Sequence, residues 1–300
     1  MRTRRTPDAG YSLAELLVVV AVTGFLMASV FTIFEVTQRT SQRATGSEAA
    51  LVQARAVVDK IGGDFRMAGA SWYYYSTPIT MADSTSINFR GDIDNTLDSS
   101  YNPVVLTGGA SVGTPLGAGA TSMKVSDTSN IVCGTYVTLA NGPIAESHLL
   151  PSSGCTSGGP TNGTVNFQGT DLPSTGFPVG SLWATSGSLD VTFIYTVENV
   201  HWVYDRPTQK LCRKINGTCP ADATTWNDDT EVIADNVTNL CLMYLDYSGN
   251  NLNPNCSSVA ASSLSAIRAV IISVTVKAQA GDQTVTRQMQ LTARSRTMVP

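Results

Sequence analysis

The sequence predicts an α+β protein: one long N-terminal α-helix packed on an antiparallel, β-rich globular head. Three observations carry that prediction. Leu16 to Phe34 contains no charged residue; Leu51, Ala54, Val58, Ile61 and Phe65 recur three or four apart; and the remainder alternates β-branched or aromatic runs with Gly, Pro, Asn and Asp clusters. With 42% hydrophobic and 14% charged residues, a chain of 300 residues can bury a sizeable core. Its formal charge of −4 gives no electrostatic reason to expect a nucleic-acid partner. No window repeats along the chain, which argues against a solenoid or a propeller.

The N-terminus divides into parts. Residues 1–10, "MRTRRTPDAG", carry Arg2, Arg4 and Arg5 and end on a small residue, the layout of a short leader held in the cytoplasm by positive charge. As a helix rising about 1.5 Å per residue, Leu16 to Phe34 spans roughly 28 Å, close to a bilayer core. The small-residue stop, Ala9-Gly10, precedes the apolar run, so a cut there keeps the helix in the mature chain. A plain single-pass anchor is the competing reading, and Glu15 argues against it. A carboxylate at the edge of an apolar helix costs up to a few kcal/mol in lipid and is usually kept where it meets a partner charge. Cutting after Gly10 gives Tyr11 a new α-amino group, and the terminal amine of a neighbouring subunit is the partner that would set register between packed helices.

Gly10-Tyr11-Ser12-Leu13-Ala14-Glu15-Leu16 and the charge-free run after it resemble the class III signal of type IV prepilins and pseudopilins. The resemblance implies a type IV pilin-like fold, cleavage after Gly10 by a prepilin peptidase, N-methylation of Tyr11, and subunit assembly through Glu15 with Leu13 and Leu16 beside it. Tyr11 stands where the family usually has Phe. Loss of residues 1–10 removes three arginines and one aspartate, which takes the formal charge to about −6 and speaks against a basic DNA-uptake pilin.

The helix is expected over residues 11–69, with a membrane-spanning half to about 35 and an amphipathic half over 36–69, where Arg43, Glu48, Arg55 and Lys60 interleave the apolar stripe. Gly62-Gly63 predicts a kink or an early end, because glycine costs about 1 kcal/mol in a helix interior. The absence of proline from Leu16 to Phe34 favours a minor over a major subunit by resemblance. Asp64-Phe65-Arg66-Met67-Ala68-Gly69 is similar to the helix end of PilW-like minor pilins; by chemistry alone, Asp64 and Arg66 read as a solvated or locally paired charge set.

Residues 70–300 form the predicted head. Strands are expected in "SINFRGDI", "TSMKVS", "TYVTLA", "LDVTFIYTVENVHWVYD", "LCLMYLDY", "IRAVIISVTVKAQA" and "QTVTRQMQLTARS". The segment from Ser265 to Thr297, ending on Arg294 and Arg296, is also similar to the C-terminal hairpin of PilW-like and J-type pseudopilin proteins. Between Thr107 and Gly119 and from Pro151 to Gly180, Gly, Pro, Ser and Thr dominate and predict long surface excursions. "SWYYYS" is expected to pack between helix and sheet.

All six cysteines follow the apolar helix, and an exported head implies up to three disulfides. Pairing between neighbours in sequence is favoured: Cys133 with Cys155, Cys212 with Cys219, Cys241 with Cys256. The Asn216-Gly217 turn within "LCRKINGTC" makes the second the firmest. Zinc is the competing use, without a C-x-x-C pair or a nearby histidine to support it.

Other chemistry is sparse. His148 and His201 are far apart, His201 reads as a packed strand residue, and no nucleophile elbow, P-loop or H-E-x-x-H occurs, so an enzyme is not expected. Asp92, Asp94, Asn95 and Asp98 place oxygens in a short span that is a candidate for Ca²⁺, although a polar turn is favoured because the EF-hand glycine and terminal glutamate are missing. No other cofactor is expected. Arg90-Gly91-Asp92 spells an integrin-like tripeptide, a match that arises often by chance.

Together the resemblance implies a PilW-like minor pilin that joins the initiating or tip complex of a type IV pilus. Its expected partners are prepilin peptidase, other minor pilins and the major pilin. It would wait in the bacterial inner membrane with a periplasmic head before joining the filament at the cell surface. A J-type pseudopilin of type II secretion, an adhesive head carried on a pilin stalk and an anchored enzyme are the rival readings.

Overall fold

The computed structural model describes residues 13–72, 77–93, 102–141, 144–158, 162–177, 191–220, 226, 231–281 and 283–295. The expected cleavage and methylation positions, Gly10 and Tyr11, lie outside these residues, as do Asp94, Asn95, Asp98 and Arg296.

Helix α1 runs unbroken over Leu13–Arg66, 54 residues. The expected break at Gly62-Gly63 does not occur. The reason at Gly62 is close packing: a Cβ there would lie 2.8 Å from Leu291 Cδ2, so the missing side chain admits the neighbouring strand. The helix ends instead in the turn that follows Arg66, where Met67 N–H donates to Asp64 O and Gly69 N–H to Arg90 O, with Gly69 in the left-handed region.

The chain divides into two compact units, Met1–Ala50 with Lys277–Thr286, and Leu51–Val276 with Arg287–Pro300. In the first, every side chain from Leu13 to Thr45 is exposed, and burial begins at Gly46. A Cβ on Gly46 would come within 2.7 Å of Ala280 Cβ, so glycine permits the helix to lie against that strand end.

The second unit holds the sheets. The largest contains β1 (Ile79–Ala82), β2 (Ser86–Gly91), β5 (Tyr136–Asn141), β6 (Ile144–Leu149), β9 (Phe193–Asp205), β10 (Lys210–Ile215) and β11 (Glu231–Ala234). Its spine is β9, 13 residues long, which pairs antiparallel with β5 through Phe193–Val197 and with β2 through Glu198–Val203. A second sheet orders β12 (Val237–Leu245), β13 (Ala269–Ala280) and β14 (Gln283–Arg294). A third joins β3 (Leu106–Gly108), β4 (Ser122–Val125), β8 (Gly163–Asn166) and β7 (Thr156–Ser157).

Two apolar cores result. In the first, Ala54, Val57, Val58, Ile61, Phe65 and Ala68 of the helix side meet residues of the first two sheets, including Phe89, Trp202, Leu242 and Ile272. Leu51, expected on this face, is 42% exposed, because Ala50 takes the buried position one residue earlier. The second core contains Leu116, Met123, Leu139, Val165, Phe167 and Phe177. The predicted excursions are therefore only partly surface loops: Leu116 and Phe177 exchange backbone hydrogen bonds and bury their side chains. Apolar anchors spaced among Gly, Ser and Thr give these segments a core of their own. Trp72 likewise departs from expectation, half-buried against Tyr136 and Arg90 rather than in the helix–sheet core. The other aromatic residues of that stretch, Tyr73 to Tyr75, lie outside the described residues.

Candidate functional site

The helix surface from Leu13 to Phe34 is the first candidate. Leu13, Leu16 and Phe25 are 81%, 61% and 75% exposed, and the helix is long and apolar enough to cross a membrane. Two of its three hydroxyls turn inward on the helix backbone: Ser29 Oγ donates to Phe25 O at 3.0 Å and Thr32 Oγ1 to Ala28 O at 2.9 Å. Such i−4 bonds satisfy polar groups without water, as a helix surrounded by lipid or by other helices requires. Glu15 lies in the first turn, where a carboxylate is favoured by the helix dipole.

The head contributes a buried charge cluster that the sequence did not place. Asp64, on the last turns of α1, accepts from Arg213 through Nε to Oδ2 at 2.6 Å and through Nη2 to Oδ1 at 3.2 Å, and from Trp202 Nε1 at 3.0 Å. Both charged side chains are buried. Asp64 therefore does not belong to a solvated charge set: the two-point fork and the indole N–H compensate a carboxylate removed from water. Strand periodicity alone cannot name a partner 149 residues away.

The three disulfides join Cys133 to Cys155, Cys212 to Cys219 and Cys241 to Cys256, with Cα–Cα distances of 5.4, 6.2 and 5.8 Å. Asn216 takes a positive φ of 53° in the turn between Cys212 and Cys219. With all six cysteines oxidised, none offers a thiolate to zinc.

Both histidines are buried. His201 accepts the Cys219 N–H on Nδ1 at 2.9 Å, which leaves the ring proton on Nε2, and burial pushes its pKa below the ordinary 6.5. His148 lies between two carboxylates, Nδ1 at 3.2 Å from Asp171 and Nε2 at 3.2 Å from Glu146. Burial works to raise the Glu146 pKa, but hydrogen bonds from Thr175 and Ser174, with the His148 ring, hold it below the ordinary 4.5. The network fastens residues 171–175 to β6. It pairs acid with base across two segments, the geometry of a clasp.

Of the Ca²⁺ candidates, Asp92 is buried and accepts from Ser71 Oγ at 3.2 Å. Arg90-Gly91-Asp92 is no displayed tripeptide. Arg90 is held between the rings of Trp72 and Tyr136, each 4.9 Å away, while Asp92 is turned inward at the helix exit.

No protein-family model matches the chain, and no curated protein matches it. Among solved structures, it has a faint likeness to a DUF4785 family protein from Legionella pneumophila, with TM-score 0.13 and 11% identity. The alignment covers 75% of this chain and 63% of that one, and a likeness so low carries no argument about fold or function.

Proposed function

We propose that this chain is a PilW-like minor pilin that joins the initiating or tip complex and supports type IV pilus assembly. The observation that carries the reading is Glu15 at the head of an apolar helix whose side chains are exposed from Leu13 to Thr45, after a Gly10-Tyr11 junction. So large an apolar surface is stable only against lipid or protein. Before assembly the helix is held by the inner membrane with the head in the periplasm, a compartment that suits three disulfides. Prepilin peptidase cuts after Gly10 and N-methylates Tyr11. In the filament, other pilins replace lipid around the helix, and Glu15 meets the terminal amine of a neighbour.

The test is a strain lacking the protein, with surface pili counted by electron microscopy and secreted proteins assayed in the same culture. Lost pili with intact secretion supports the priming role. Intact pili with failed secretion assigns the chain to the J-type pseudopilins, and no change in either favours an adhesive head.

A further inference from the structure

A cleft of about 550 Å³ opens on the face of the largest sheet opposite the helix, within the size range of small-molecule sites. It owes its place to strand alternation. Along β2, Ile87 and Phe89 turn into the core, so Asn88 and Arg90 turn outward, and their partners across β9 are His201 and Asn199. Asn88, Arg90 and Asn199 line the cleft, with Tyr136 of β5 beside them. Two cross-linked segments form its rims: Cys133–Tyr136, tied down by the bond to Cys155, and Asn216–Thr218, inside the Cys212–Cys219 loop.

Some polar groups of the lining are consumed by the fold: Asn216 Oδ1 accepts from Asn199 N–H at 3.0 Å, and Thr80 Oγ1 and Thr135 Oγ1 donate to backbone carbonyls. The Asn88 Oδ1 atom is buried yet has no hydrogen-bond partner among the described residues. Arg90 is gripped by Trp72 and Tyr136, whose π faces fix a cation without neutralising it. The lining contains no carboxylate among the described residues. At the rim, the stem of Lys214 lies against Gly217.

This set selects a ligand class. One fixed guanidinium suits a single carboxylate, which its planar fork can bind at two points. Among the described residues, no helix N-terminus lines the cleft to hold a phosphate. Asparagine amides both donate and accept, as sugar hydroxyls do. We propose that this cleft binds an acidic sugar, Arg90 meeting the carboxylate and the Asn88 and Asn199 amides meeting hydroxyls. The inference does not depend on how the helix is used.

The test uses the full chain in detergent micelles, titrated with methyl β-glucuronide, methyl β-glucoside and acetate and followed by ligand-observed NMR. Saturable glucuronide binding is expected, weaker glucoside binding, and weaker acetate binding still. Arg90→Gln should lower glucuronide affinity roughly tenfold or more while leaving the glucoside nearly unchanged, and Asn88→Ala should weaken both sugars but not acetate. Thermal melts of each variant separate lost binding from lost fold. If Arg90→Gln melts early, Arg90→Lys replaces it, keeping the charge but not the planar fork, and a several-fold loss is expected. Absence of glucuronide binding by the wild type, acetate binding as tight as glucuronide, or wild-type affinity in a folded Arg90 variant would each overturn the proposal.

Discussion

Asp64 and Arg213 form a buried, two-contact ion pair that ties the end of the long helix to a strand 149 residues further along the chain. Trp202 supplies a third donor to the same carboxylate, so the helix end is fixed to neighbouring strands β9 and β10 at once.

Removing one partner strands the other in the interior. Asp64→Ala is expected to cost about 3–5 kcal/mol of unfolding free energy, because the buried Arg213 guanidinium loses both of its contacts to the carboxylate. Replacing both residues by apolar ones of similar volume should cost far less. Urea denaturation of the two variants checks the difference; equal losses would mean the pair is not compensating desolvation.

The adjacent glycines of the helix give a paired comparison. Gly63→Ala meets nothing within 4 Å and should stabilise by about 0.5–1 kcal/mol through helix propensity. Gly62→Ala must displace Leu291 Cδ2, 2.8 Å from the new methyl, so its gain should be smaller or reversed. Melting temperatures of both variants decide the order.

Disulfide removal should follow loop length. Sequence separations of 22, 15 and 7 rank Cys133–Cys155 first, Cys241–Cys256 second and Cys212–Cys219 last. Chain entropy gives roughly 3.4 kcal/mol for the longest and about 2.5 kcal/mol for the shortest. Paired Cys→Ala variants under urea test the ranking, and the reverse order would show that native contacts around the short loop dominate.

Acid should weaken the head through His201. Its folded pKa is lowered by burial, so the unfolded chain binds the proton more readily. The contribution is whole above the ordinary 6.5 and declines as pH falls through 6.5 toward the folded value. Glu146, lowered from 4.5, acts in a separate, more acidic window. Melts between about pH 8 and 5 should therefore slope less in His201→Gln, whose amide oxygen can still accept the Cys219 N–H.

Glu15→Ala should leave leader cleavage largely intact and impair incorporation into filaments. Immunoblots of processed protein in cell and sheared-pilus fractions read both steps together. Normal incorporation would remove Glu15 from the assembly mechanism.

All seven predicted strand segments contain observed strands, because β-branched alternation bounded by turn residues reports local burial. The missed strands hide that signal. In β6, Glu146 and His148 are interior-facing polar residues held by partners from another loop, and β10 places Lys210, Arg213 and Lys214 around a cystine. Asp64 was equally opaque: its burial depends on an arginine that only the folded sheet brings near. The exposed membrane-length helix was legible because its hydrophobicity is one continuous run, whereas the cleft is assembled from short stretches that no spacing rule joins.

The contact between Gly62 and Leu291 also has a kinetic meaning. Strand β14 closes the face of the helix end, and Ser295 Oγ donates to Ala68 O at 2.7 Å across 227 residues of sequence. Contacts of such high order form slowly, since the intervening chain must be confined before they reward it. A growing chain that has not yet produced Leu291 cannot cover Gly62 with its native neighbour, and folding of the first core is therefore late, long-range and completed from the far end.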